Sequence, residues 1–218
     1  MIKRLIVLTI ILITSVISLP RTITDGQYIL HCLPVSGMVD TALSDISLKQ
    51  SNSLNNWLIN FSSNKKISPV VNVNVKDLFD FEVIQQPDDN CAYVDEGENV
   101  ITQFHLAKKQ GVIGLLAHNY KAGKYFYQLD VNQVVHIVFD DKSSRSFQVD
   151  HFHIYRALDP ENPYTRFIDL DNPGRGISAR QVFEDIYSES NTLVFQTCIE
   201  VDDIQSWGRY FAIAKPLD

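Results

Sequence analysis

The sequence predicts a mostly-β domain, built as a barrel or a sandwich, that begins after Pro69. Beyond this residue, short β-branched and aromatic runs alternate with turn-forming residues, which is typical of a compact β fold. No repeat with a period of 20 to 50 residues is visible, so solenoids and propellers are excluded. Of 218 residues, 45% are hydrophobic and 21% are charged, which indicates a packed globular chain.

Seven strands are expected in this domain, and this number suffices to build a barrel or a sandwich. Ser178 is expected to cap one helix, from about Ala179 to Tyr187, in which Val182 and Ile186 share a face. A single helix among strands indicates a connection across one end of a barrel. The expected strands are 70–75, 81–85, 112–118, 134–139, 147–155, 193–199 and 210–214.

The first residues have the pattern of an export signal. Lys3 and Arg4 precede an uncharged run from Leu5 to Leu19, whose 15 residues match a signal peptide and fall short of a membrane span. We expect a signal peptide over residues 1–18 and a secreted or cell-surface protein. A retained membrane anchor is the alternative.

Residues 19–68 are expected to form an irregular N-terminal arm. Twelve of the 25 residues from Ser44 to Ser68 are Ser or Asn, a composition typical of loops. Within this stretch, a short amphipathic helix is predicted from about Ser53, because Leu54, Trp57, Leu58 and Phe61 fall on one helical face. The predicted β domain then covers residues 69–218.

The chain has three cysteines, Cys32, Cys91 and Cys198, and an odd number in an exported chain leaves one thiol over. Cys198 lies in an apolar, strand-like run, whereas Cys32 and Cys91 lie among turn-forming or irregular residues. We predict a Cys32–Cys91 disulfide and a free thiol at Cys198.

Three chemically useful side chains are expected at strand ends. The run ending in Thr197-Cys198-Ile199 leads through an acidic, polar loop, 200–206, into an apolar return strand that begins at Gly208-Arg209. Antiparallel pairing of this hairpin would place Cys198 near Arg209. Upstream, another apolar strand ends at His118.

These residues resemble the sortases, exported cysteine transpeptidases with a β-barrel fold. Thr197-Cys198 matches the end of that family's Thr-Leu-x-Thr-Cys strand, Arg209 opens the following strand, and Ala117-His118-Asn119 is similar to its strand-terminal histidine. The likeness covers about residues 70–216. It implies a closed β-barrel with a few short helices, and transfer of an acyl group from a peptide or protein substrate to an amine acceptor.

The proposed chemistry also follows from the residue types. A thiol attacks a carbonyl as the thiolate, so Cys198 is the candidate nucleophile and His118 the candidate acid and base. Arg209 has a fixed charge and forked donors, which suit binding of the substrate backbone and the oxyanion. Thr197, Asn119 and Trp207 flank these three residues and are expected to support the substrate or the oxyanion.

Two alternatives remain open from the sequence alone. One is a secreted cysteine peptidase or hydrolase that uses water in place of the amine. The other is a non-catalytic secreted binding module that keeps the barrel.

Other functions are disfavoured by charge and motif. Nineteen Lys and Arg against 26 Asp and Glu give a net charge of −7, which argues against a nucleic-acid partner. The sequence lacks a glycine-rich phosphate-binding loop, which argues against a nucleotide ligand.

Metal binding is also disfavoured. His151 and His153 share a strand face, but two ligands do not make a metal site. The acidic residues Glu200, Asp202 and Asp203 could bind calcium but are typical of a solvated loop, so no cofactor is expected.

Overall fold

The computed structural model describes residues 67–162 and 165–217. The predicted signal peptide, almost all of the predicted N-terminal arm with its helix, and Cys32 lie outside the described residues. Within them, none of the helices combines the length and the apolar character needed to cross a bilayer.

Ten strands, two α-helices and one 3₁₀ helix make up the described domain, which confirms the mostly-β prediction. The helices are α1 (His105–Lys109), the 3₁₀ helix (Ala122–Gln128) and α2 (Ala179–Ile186). The strands are β1 (Val70–Val75), β2 (Phe79–Gln85), β3 (Val100–Gln103), β4 (Ile113–Leu116), β5 (Val134–Phe139), β6 (Ser144–Ala157), β7 (Arg166–Asp169), β8 (Gly176–Ser178), β9 (Leu193–Val201) and β10 (Ile204–Pro216).

Eight of these strands close into a barrel, in the order β1, β2, β3, β4, β9, β10, β6, β5. Pairing between β10 and β6 closes the ring, while β7 and β8 extend from β6. The pairs β2–β3 and β4–β9 are parallel, and the remaining pairs are antiparallel. The closed barrel expected from the sequence is therefore confirmed.

The barrel interior is an inner core of apolar side chains. Period-2 alternation along the strands turns every second residue inward. Aromatic rings fill much of the space: Phe195 lies 4.9 Å from Phe126 and 6.2 Å from Phe79, measured between ring centroids. The inner core therefore ties β2, β9 and the 3₁₀ helix together.

A second apolar cluster, the outer cluster, covers the opposite face of β4, β9 and β10. Helix α2 contributes Val182 and Ile186 to it, and β10 contributes Phe211. The N-terminus of α2 is fixed by the predicted cap, because the Ser178 side chain accepts from the Gln181 backbone and the Gln181 side chain accepts from the Ser178 backbone. The helix ends at Ile186, one residue before the predicted end.

The structure corrects the predicted hairpin around Cys198. The expected loop 200–206 is mostly strand: β9 continues to Val201 and β10 begins at Ile204. Asp202 and Asp203 form the turn between them, both with positive φ (50° and 65°), as a two-residue hairpin turn requires. A bulge between Ile204 and Gly208 absorbs the extra residues.

Three strands and two short helices were missed by the sequence reasoning. In β3, the polar residues Thr102 and Gln103 are buried, so the segment lacks the apolar signature of a strand. Their side chains are bonded within the fold, since Gln103 Oε1 accepts from the Val70 amide at 2.8 Å. The other missed elements, β7, β8, α1 and the 3₁₀ helix, are eight residues or shorter.

Candidate functional site

The site is built on three adjacent strands, β4, β9 and β10. In the antiparallel β9–β10 pair, Cys198 lies directly opposite Arg209. In the parallel β4–β9 pair, Leu116 lies beside Gln196, and two residues further along both segments come His118 and Cys198. The register therefore places Arg209 opposite Cys198, and His118 comes two residues after the last β4–β9 pair; we call these three residues the row.

Two hydrogen bonds carry the β4–β9 pairing past the end of β4. The Ala117 amide donates to the Gln196 carbonyl at 3.3 Å, and Thr197 Oγ1 donates to the Ala117 carbonyl at 2.9 Å. His118 thus follows Ala117, whose amide and carbonyl are both bonded to β9. Because alternate residues of a strand share a face, Cys198 lies on the face of Val194, which belongs to the outer cluster.

Cys198 is a free, half-buried thiol. Its backbone carbonyl accepts a hydrogen bond from the Tyr127 hydroxyl, which reaches it from the 3₁₀ helix. Burial raises the pKa of Tyr127 above its ordinary value, and the charges of Cys198 and Tyr210 add to this effect. Tyr127 therefore stays protonated at neutral pH and acts as a donor that holds the backbone of the candidate nucleophile.

Arg209 is buried, with 3% of its surface exposed. Its Nη1 donates to two backbone carbonyls of the bulge, those of Gly208 at 2.8 Å and Ser206 at 3.3 Å. The guanidinium also lies over the Phe167 ring of β7, 5.8 Å from the ring centroid. The bulge and β7 therefore hold the guanidinium, while the Arg209 backbone lies opposite Cys198.

His118 is largely buried, with 8% of its surface exposed, and its ring stacks on Tyr120 with 5.2 Å between centroids. The Nε2 atom lies 3.1 Å from Oε1 of Glu96. The angles at this contact do not meet hydrogen-bond criteria, and Nε2 has no other partner within the described residues. The Glu96 carboxylate therefore lies at ion-pair distance from the Nε2 edge of the imidazole.

Gly123 lets the 3₁₀ helix pack tightly against the end of β4 and against β9. A Cβ atom at this position would lie 2.4 Å from Thr197 Oγ1, 2.6 Å from the His118 carbonyl oxygen and 2.8 Å from the Ala117 carbonyl oxygen. Two of these atoms belong to the backbone and cannot rotate away. Glycine is required here by this close approach.

The structure gives Thr197 a different role from the predicted support of the substrate. The residue is buried and lies on the strand face opposite Cys198, and its hydroxyl donates a hydrogen bond to the Ala117 carbonyl. Asn119 lies half-buried in the turn after His118, and Trp207 lies half-buried in the bulge before Arg209. Support of substrate by Asn119 and Trp207 remains a prediction.

Two further predictions concern the cysteine pair and the two histidines of β6. Cys91 is disulfide-bonded, and its predicted partner Cys32 lies outside the described residues. His153 lies beside carboxylates that sequence spacing did not reveal: its Nδ1 is 2.9 Å from Asp171 Oδ2, and the ligand atoms of His153, Asp169 and Asp171 lie within 4.8 Å of one another. Sequence spacing gives no third ligand for His151 and His153, because these carboxylates come from β7 and the turn that follows it.

Sequence reasoning missed three residues that contact the site: Glu96, Tyr120 and Tyr127. Tyr120 is two positions after His118 and could have been considered as a ring neighbour. Glu96 and Tyr127 are separated from their partners by 22 and 71 residues, and only the closed barrel brings them together.

Comparison with known proteins finds sortases among the solved structures. The chain is similar to a sortase D5 transpeptidase of Clostridium perfringens, with 13% identity and a TM-score of 0.44 over 76% of this chain and 89% of that chain. It is also similar to sortase A of Listeria monocytogenes, with 10% identity and a TM-score of 0.43 over 68% and 88% of the two chains. A lid mutant of sortase A from Corynebacterium diphtheriae gives 11% identity and a TM-score of 0.43 over 80% and 84%.

No protein-family model and no curated protein matches the chain. The identities and TM-scores of these solved structures are too low to carry a function over to this chain. The function is therefore argued from the side chains of the site itself.

Proposed function

We propose that the protein is an exported cysteine transpeptidase of sortase type. The observation that supports this proposal is the pairing of Cys198 with Arg209 across β9 and β10, next to the end of β4 that leads to His118, together with a thiol that is free and half-buried. A nucleophile beside a candidate base and a fixed positive charge is the arrangement that acyl transfer needs.

In the first half of the reaction, the Cys198 thiolate attacks the carbonyl carbon of a substrate peptide bond. A C–S bond forms, and the carbonyl oxygen becomes an oxyanion that the Arg209 charge stabilises. As the oxyanion collapses, the C–N bond breaks and the leaving amine takes a proton from the His118 imidazolium. The product is a thioester on Cys198.

In the second half, an acceptor amine attacks the thioester carbonyl. His118 takes the proton that this amine loses, the new C–N bond forms, and Cys198 leaves as the thiolate. The substrate is thus a peptide or protein and the acceptor is an amine. Export agrees with the disulfide at Cys91, since disulfides persist in oxidising compartments outside the cytosol.

Alkylation of the folded protein tests the state of the thiol. At pH 7, iodoacetamide should modify Cys198 faster than it modifies N-acetylcysteine, as measured by intact mass over time. His118→Ala should slow the reaction, and His151→Ala, on the outside of β6, is the matched control that should not. Equal rates for the wild-type protein and N-acetylcysteine would contradict an activated thiol.

A peptide library with and without added triglycine tests the reaction. Transfer products that contain triglycine should form with the wild-type protein and disappear in Cys198→Ala, while Arg209→Lys should reduce turnover because the forked donor set is lost. Products of hydrolysis alone would overturn the transfer and indicate a cysteine peptidase. Turnover that persists in Cys198→Ala would refute the nucleophile.

A further inference from the structure

Glu96 contacts both rings at the histidine end of the site. Its Oε1 lies 3.1 Å from His118 Nε2, and its Oε2 accepts a hydrogen bond from the Tyr120 hydroxyl at 3.3 Å. The two rings are themselves stacked, with 21° between their planes. One carboxylate therefore bridges the edges of a stacked pair, and so restricts how the imidazole can turn.

The loop that carries Glu96 is held on both sides of this residue. The Asp95 amide donates to Thr102 Oγ1 of β3 at 2.9 Å, and the Gly97 amide donates to Asp95 Oδ1 at 2.7 Å. On the other side, Glu98 accepts from the Lys121 ammonium at 2.6 Å, and this bond lowers the pKa of Glu98. The position of the Glu96 carboxylate is thus set by the barrel and by the segment that follows His118.

An imidazole has two nitrogens on different edges, and a catalytic histidine is oriented by the group that binds the nitrogen not used in proton transfer. At His118, the nitrogen beside Glu96 is Nε2. Nδ1 is then the nitrogen left to exchange a proton with the thiol and with the amines.

We propose that Glu96 is a positioning residue for His118, an inference that rests on the proposed function. Glu96 holds the Nε2–H edge of the ring, so that Nδ1 accepts the Cys198 proton and later releases it to the leaving amine. When Nδ1 accepts the proton, the ring becomes an imidazolium, and the Glu96 carboxylate balances its charge. Tyr120 holds the plane of the ring and the second oxygen of the carboxylate.

The kinetic test compares Glu96→Ala with its conservative replacement and with removal of a glutamate elsewhere on the surface. Glu96→Ala should slow alkylation of Cys198 by iodoacetamide at pH 7 by roughly 10-fold, as loss of an orienting partner does at other histidine sites. Glu96→Asp should restore most of the rate. Glu184→Ala is the control, since it removes an exposed glutamate that pairs with Arg180 on α2, and it should retain the wild-type rate.

A double variant separates positioning from a structural effect. If Glu96 acts through His118, Glu96→Ala should not slow the alkylation of Cys198 any further in a His118→Ala background. A merely structural role would make the two losses add. In the full-length protein labelled with ¹⁵N-histidine, the ring ¹⁵N shifts of His118 should show the proton on Nε2 in the wild type and in Glu184→Ala, and a mixture of the two tautomers in Glu96→Ala.

The outcomes distinguish this inference from the proposed function. If His118→Ala slows alkylation and Glu96→Ala does not, Glu96 has no positioning role while the proposed function stands. If His118→Ala leaves alkylation unchanged, the acid–base assignment of His118 fails, and the inference about Glu96 fails with it. Slowing by both variants without additivity supports both.

Discussion

Strands β4, β9 and β10 bury apolar side chains on both faces, but only the outer face carries the candidate site at the strand ends. The inward residues, such as Leu115, Phe195 and Ala212, are fully buried and apolar. On the other face, above the outer cluster, Cys198 and Arg209 form the row that His118 extends beyond the end of β4. Substitutions of inward residues should therefore lower the free energy of unfolding, whereas substitutions in the row should change the reactivity of Cys198. The two effects should be separable.

The largest effect on stability is expected from Phe195→Ala. The ring is fully buried and packs against two other phenylalanines, so its removal should lower the free energy of unfolding by about 3–5 kcal/mol in urea titrations. Cys198→Ala, three residues further along β9, should change it by less than about 1 kcal/mol. Equal losses from both variants would contradict the division between the faces.

A smaller effect is expected from Gly123→Ala. Because the new Cβ would meet the His118 and Ala117 carbonyl oxygens, the 3₁₀ helix must shift, at a cost of about 1–3 kcal/mol of unfolding free energy. Alkylation of Cys198 should slow as well. Gly174→Ala is the control, because its Cβ would meet nothing within 4 Å; similar losses from the two alanines would argue against close packing as the cause.

Thr197→Val tests the bond that joins β9 to the residue before His118. The buried Ala117 carbonyl would lose its hydroxyl donor, so the free energy of unfolding should fall by about 1–2 kcal/mol. Thr197→Ser keeps the hydroxyl and should retain the wild-type rate of Cys198 alkylation, whereas the valine should slow it. If both variants alkylate at the wild-type rate, the bond does not position His118.

The smallest effect is expected at high pH. Burial raises the pKa of Tyr210 and of Tyr155 to about 12. A raised pKa favours the neutral phenol in the folded state, so this contribution to stability is complete below pH 10 and decreases as the pH rises from about 10 to about 12. Tyr210→Phe should make the decline of the unfolding midpoint shallower over that range; an unchanged slope would show that the phenol ionises equally in both states.

Much of the barrel was predictable because its strands alternate or run apolar. Strands β1 and β5 were predicted with their observed bounds, and the Ser178 cap identified the start of α2. The short strand β3 was not predictable, since two of its four residues are polar and buried, and the partner of Gln103 Oε1, the Val70 amide, is distant in sequence. The tight turn at Asp202 was hidden by the acidic composition of the segment around it.

The site was partly predictable for the same reason. Antiparallel pairing of the hairpin correctly placed Cys198 opposite Arg209, because local pairing follows from the hairpin itself. The neighbours Glu96 and Tyr127 could not be found, since their contacts depend on closure of the whole barrel. The contacts of His153 were missed because its carboxylates come from another strand.

The position of Cys198 in the row depends on the register between β4 and β9. The reactivity of its thiol therefore reports whether these two strands are paired in register. Successive side chains of a strand point to opposite faces, so a slip of one residue between β4 and β9 would turn the sulfur into the inner core. A chain trapped in that arrangement would keep its secondary structure and yet be inert to alkylating agents. Among folded molecules, the fraction that reacts therefore reports how many have paired β4 and β9 in register.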